Sequence, residues 1–92
     1  INLTVDNLWG MIYKKSDHAN VHDHWPALWS GVYYVKAPKD SGGDLVFPQL
    51  KQRVKPQDGM MIIFDGHTRH GVEEVLGDEE RIAVSFNVKE NF

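Results

Sequence analysis

Ninety-two residues can enclose one hydrophobic core and leave no room for a separate cofactor domain, so a single domain over residues 1–92 is expected. Hydrophobic residues at 41% and charged residues at 25% are ordinary globular values, and a net charge of -3 with a pI near 5.9 argues against a nucleic-acid partner. The chain has no cysteine, which excludes disulfides and thiolate ligands, so a transition-metal site must draw on imidazole and carboxylate.

In chain order, the runs Leu8 to Tyr13, Ser30 to Ala37, Asp44 to Phe47, Met60 to Asp65, Gly71 to Leu76 and Arg81 to Lys89 are rich in aromatic or β-branched residues and read as strands. Turn chemistry separates them at Lys39-Asp40-Ser41-Gly42-Gly43, at Lys55-Pro56-Gln57-Asp58-Gly59 and at Gly77-Asp78. No segment sustains a helical period, and no repeat or low-complexity tract interrupts the chain. The expected fold class is all-β, an antiparallel sandwich or jelly roll with little or no helix. No apolar stretch is long enough to cross a bilayer, and no signal-peptide or lipidation pattern is present, so a soluble, cytoplasmic protein is expected. The chain starts on Ile1 rather than Met, which is compatible with a further N-terminal region.

A two-residue turn at Gly77-Asp78 predicts a hairpin whose register sets Glu74 opposite Arg81, Val72 opposite Ala83 and His70 opposite Ser85. Alternation then puts His70, Arg81 and Ser85 on one face, with His70 and Arg81 about 13 Å apart along the strands. A small diacid bound to a metal at one end and to arginine at the other would span that gap. Glu74 is the rival partner for the guanidinium. On the last strand Arg81, Ala83, Ser85 and Asn87 share one side, and Ile82, Val84, Phe86 and Val88 the other. The second set forms an apolar face that needs cover, either from a second copy, making a homodimer, or from an N-terminal region.

His22 and His24 flank Asp23, and on an extended segment the two imidazoles point the same way. With His70 from a distant strand they make a facial set of three ligands with positions left open. Non-haem Fe(II) oxygenases use two histidines and one carboxylate, so a third histidine is a departure that leaves the full divalent charge on the ion and favours an anionic co-substrate. Asp23 ranks below His24 as the third ligand. His18 sits in a polar run, and His67 belongs to a loop outside the ligand set. Trp9, Trp25 and Trp29 are expected in the core or an interface, with Trp25 the exception because it adjoins the ligands.

The ordered set His22-x-His24, Ser30-Gly31-Val32-Tyr33-Tyr34-Val35, Gly42-Gly43-x-Leu45-x-Phe47, Pro56-x-x-Gly59, Phe64 with His70-x-Val72, and Arg81-x-x-x-Ser85-Phe86-Asn87 resembles the 2-oxoglutarate/Fe(II) oxygenases of marine bacteria and phages. More distantly it is similar to the prolyl hydroxylases. The resemblance runs from about Tyr13 to Asn87 and implies a double-stranded β-helix, a cupin-like jelly roll with iron at its mouth. It implies His22, His24 and His70 as metal ligands, Arg81 as anchor for the distal carboxylate of 2-oxoglutarate, Tyr34 and Ser85 as hydroxyl donors to it, and Tyr13 near the co-substrate. The implied cofactors are Fe(II), 2-oxoglutarate and dioxygen, and the implied reaction hydroxylates an unidentified prime substrate. A cupin-like metal protein that binds a small ligand, or oxidises one without 2-oxoglutarate, is the second reading.

Overall fold

A computed structural model describes residues 2–24 and 27–91, so Trp25 lies outside the described residues. Among them the chain forms β1 (Asn2–Tyr13), β2 (Ala19–His22), β3 (Trp29–Lys36), β4 (Leu45–Phe47), β5 (Gln52–Val54), β6 (Met61–Asp65), β7 (His70–Val72) and β8 (Arg81–Asn91), with one 3-10 turn at Pro48–Leu50. The six expected strands are present, the fifth of them cut short at Val72. β2 and β5 were not expected as strands, because Ala19-Asn20-Val21-His22 and Gln52-Arg53-Val54 are short, largely exposed and mixed in polarity.

The strands assemble into two four-stranded antiparallel sheets, β1-β8-β3-β6 and β2-β7-β4-β5. Apart from the β4–β5 hairpin, successive strands switch between sheets, which is the double-stranded β-helix of a jelly roll, as expected. Between the sheets lie Val32, Tyr34, Ala37, Leu45, Phe47 and Ala83, with Met11, Val54, Met60, Ile62, Phe64 and Val72 packed against them. Phe47 and Phe64 meet edge to face across the gap, their rings 5.2 Å apart.

The predicted hairpin at Gly77-Asp78 does not form. β8 is already paired on both edges, with β1 and with β3, and β7 lies between β2 and β4. A strand has two edges, so neither β7 nor β8 has one left for the other. The connection instead crosses between sheets: Val75 bridges Gly42, and the Leu76 N–H donates to the Ser41 carbonyl at 2.7 Å. Glu74 is exposed and makes no ion pair with Arg81; its carbonyl accepts from the Gly43 N–H at 3.0 Å.

Parity along β8 survives this change of partner. Tyr13 pairs Arg81; Met11, Ala83 and Tyr34 form the next inward row; Trp9, Ser85 and Val32 the one after. The outward rows are largely apolar: Leu8, Phe86, Gly31 and Ile63, then Gly10, Val84, Tyr33 and Met61, then Ile12 and Ile82 with Lys36 at the edge. Leu8, Ile12, Ile63 and Met61 are each more than half exposed, so this face of the first sheet meets solvent in the isolated chain.

Candidate metal centre

His22 ends β2 and pairs directly with His70, the first residue of β7. His24 lies just beyond β2, held by its own N–H donating to the Gly66 carbonyl at 2.9 Å. One ring nitrogen from each of the three histidines lies within 4.8 Å of the others. His22 Nδ1 lies 2.6 Å from the Asn20 carbonyl and His70 Nδ1 lies 2.9 Å from the Thr68 carbonyl. Both contacts call for a proton on Nδ1, which leaves each Nε2 as a lone pair for a metal. His24 Nε2 stands 3.0 Å from His70 Nε2. Two imidazoles about 2.1 Å from one ion and at right angles to each other would have that spacing. The donor set therefore fits a divalent transition metal.

The electrostatics point the same way. Burial pushes His70 down to about 4; its bond to Thr68 pulls the other way, and the neighbouring His22 and His24 add smaller downward contributions. His24 is also lowered, first by burial and then by His22. Both imidazoles are thus neutral at pH 7, the form that ligates metal. Phe64 packs its ring 4.5 Å from that of His70, walling the buried ligand on its apolar side.

Arg81 lies at the other end of the same cavity and is 2% exposed. Its guanidinium sits 4.7 Å from the centre of the Tyr13 ring and 5.6 Å from that of Tyr34, and Nη1 donates to the Gly43 carbonyl. Nε has no hydrogen-bond partner. No ion pair neutralises the cation among the described residues: the nearby Asp44 is engaged by Arg53, which is itself bidentate on Glu73 at 2.8 and 3.0 Å. Burial lowers Arg81, while Tyr34, Tyr13 and Asp44 oppose that shift. Burial raises both phenols, Tyr34 to about 12, so both are protonated donors at neutral pH. Gly43 makes this corner possible. It has φ +67°, and a side chain there would collide with the guanidinium.

A cavity of about 130 Å³ joins the two ends and is lined by His22, His24, His70, Tyr13, Tyr34, Arg81 and Ser85 among others. Every residue singled out from sequence as a site residue therefore lines one space, although the hairpin that first connected them is absent. Tyr34 is 2% exposed and faces the cavity, whereas Tyr33 is outward. Ser85 stands two rows from Arg81, in the row it shares with Trp9 and Val32. His18 and His67 lie outside the trio, as does Asp23. Trp9 and Met11 also line the cavity and were missed. Their alternation with Tyr13 was the signal that could have found them.

Comparison with known structures agrees with the fold. The viral collagen prolyl hydroxylase of Paramecium bursaria Chlorella virus-1, solved with 2OG, superposes with a TM-score of 0.81 at 23% identity, over 99% of this chain and 62% of that one. A Pseudomonas putida prolyl-4-hydroxylase gives 0.75 at 18% identity, over 91% of this chain and 52% of that one. A Bordetella pertussis cupin domain gives 0.66 at 18% identity, over 97% and 93% of the two chains. This chain thus spans about three-fifths of the viral hydroxylase and half of the bacterial one. No curated protein matches it in sequence. No helix among the described residues is long and apolar enough to cross a membrane. Residues 8–89, nearly the whole chain and all of the inward-facing set above, match the 2OG-Fe(II) oxygenase superfamily, and the chain belongs to that family.

Proposed function

We propose that this chain is an Fe(II)- and 2-oxoglutarate-dependent dioxygenase, a hydroxylase that couples decarboxylation of 2-oxoglutarate to oxidation of a substrate C–H bond. The observation that carries the reading is the buried Arg81, a cation with an unpaired Nε and no acidic partner among the described residues, in the same small cavity as three convergent imidazoles. A buried, unpaired guanidinium is costly in the isolated chain, and an anionic ligand removes that cost.

In this reading His22, His24 and His70 hold the metal. Arg81 takes the distal carboxylate of the 2-oxo acid through its planar fork, and Tyr34 and Tyr13 donate hydroxyl protons at that end. Three neutral ligands leave two positive charges to be balanced, which suits a dianionic co-substrate. The metal and 2-oxo acid, when bound, supply the activation of dioxygen and the electrons for it. The chain's remaining task is orientation and exclusion of water, which Val32, Leu45, Phe64, Val72 and Ala83 serve by lining the cavity with apolar surface.

Three histidines on a cupin-like fold also describe a metal protein that ignores 2-oxoglutarate, and the Bordetella cupin domain matches over most of its length. The Arg81, Tyr13 and Tyr34 corner favours the oxygenase, since a smaller ligand at the metal would leave it without use. The test is an anaerobic titration with Fe(II) and 2-oxoglutarate, watched for the visible charge-transfer band of the chelate, then an assay for succinate on admitting oxygen. Absence of both signals overturns the oxygenase. The proposal extends to a cytoplasmic setting, consistent with a cysteine-free chain, and to a homodimer in which a second copy covers the outward apolar rows of the first sheet.

A further inference from the structure

Strand β1 turns Trp9, Met11 and Tyr13 toward the cavity in alternate positions, about 13 Å from first to last. Tyr13 marks the anion end, under the Arg81 guanidinium, and its hydroxyl donates to Met11 Sδ at 3.8 Å. Trp9 marks the other end. Its ring centre is 6.0 Å from that of His24, tilted by 34°, and the side chain is only half-buried although it lines the cavity. The row beyond it carries Ser30, whose hydroxyl donates to Asn87 Oδ1 at 2.9 Å. Charge is distributed unevenly along this path. Among the described residues lining the cavity, Arg81 is the only Lys, Arg, Asp or Glu, and it lies at the opposite end from Trp9.

We infer that Trp9 forms the wall of the prime-substrate subsite, stacking its indole on an uncharged apolar side chain or ring and so holding that group against the His22, His24 and His70 centre. The inference rests on the function proposed above and adds the substrate's chemical class. No charged side chain among those lining the cavity receives an ionised group at this end, the Asp23 carboxylate that acts on His24 and His70 lying outside the lining, whereas an apolar group gains contact with the half-buried indole. The half-buried Trp9 beside the metal trio belongs neither to the core cluster of Val32, Tyr34, Ala37, Leu45, Phe47 and Ala83 nor to the side chains packed against it.

The probes are N-acetyl amino-acid methylamides of leucine, proline, phenylalanine, aspartate and lysine. Their binding is read by ligand-detected NMR on the full chain with Zn(II) and saturating 2-oxoglutarate, which avoids turnover, and metal content is measured in the same samples. At least one apolar probe should bind wild type about tenfold more tightly than the aspartate and lysine probes. Trp9→Ala should lose about tenfold for that probe, and Trp9→Phe should keep most of the affinity. Absence of binding by every apolar probe, equal binding of charged ones, or an unchanged affinity in Trp9→Ala overturns the subsite. Loss of metal together with probe in Trp9→Ala also overturns it, since the ring would then be supporting His24 instead. If wild type binds the apolar probe through Trp9 but gives no iron chelate band, the subsite stands and the oxygenase function falls.

Discussion

Replacing Arg81 by methionine separates an anion anchor from a structural arginine, because the two roles predict opposite signs. The guanidinium is 2% exposed, donates a hydrogen bond to Gly43, leaves Nε unpaired and has no ion-pair partner among the described residues. Removing it forfeits a charge-assisted bond worth roughly 1.5–3 kcal/mol and two aromatic contacts of about 0.5–2 kcal/mol each. Removing it also relieves a burial penalty of several kcal/mol for an unneutralised ion. These contributions nearly cancel, and methionine keeps most of the apolar contact of the side chain. The ligand-free variant should therefore unfold within about 1 kcal/mol of wild type.

Binding has no such cancellation. The distal carboxylate of 2-oxoglutarate would lose both of its bonds to the fork and the charge it faces, which costs about 2–5 kcal/mol, or roughly 30- to 5,000-fold in affinity. Wild type should gain thermal stability with rising 2-oxoglutarate in the presence of Zn(II), as linkage requires, and the variant should gain almost none at the same concentrations. Urea unfolding with and without co-substrate, together with isothermal titration, gives both numbers. Should Arg81→Met unfold several kcal/mol more easily while keeping its affinity within twofold, Arg81 is structural and the carboxylate binds elsewhere.

Ligand assignment is tested by comparing His24→Ala with Asp23→Ala: the first should lose more metal affinity than the roughly 10- to 100-fold typical of an outer partner, and the second less than tenfold. The opposite order would make Asp23 the third ligand. For pH, His70 is held at about 4 in the folded chain against 6.5 when unfolded, so between those values the unfolded chain takes up a proton that the native one refuses. Stability of the metal-free chain is then intact above 6.5 and declines as pH falls toward 4, by up to about 1.4 kcal/mol per pH unit from this group. Urea midpoints between pH 6.5 and 5 should follow that slope, and His70→Gln should flatten it; an equal slope in both proteins refutes the assignment. Sedimentation should show a dimer that Leu8→Lys with Ile63→Lys weakens about tenfold or more, and a monomer at high concentration in the unaltered chain removes the second copy.

The residues of the candidate site could be collected from sequence although their route into contact could not, and the reason is physical. Which side a residue faces depends only on its own strand, so Arg81, Ala83 and Ser85 share a side of β8 whichever strands lie beside it. Which strand lies beside it depends on the whole chain. A Gly-Asp turn is a local signal for a hairpin, but it is overruled when both edges of β8 are taken by residues far away in sequence. β2 and β5 escaped notice for the same reason: their polar, exposed residues carry no pattern, and partners in β7 and β4 make them strands. Trp9 shows the limit from the other side. An aromatic residue on an alternating strand reads as core, yet Tyr13, already assigned to the pocket, shares its parity through Met11. Applying to β1 the rule that grouped Arg81 with Ser85 puts an indole on the cavity wall beside His24, two rows from the Arg81 end.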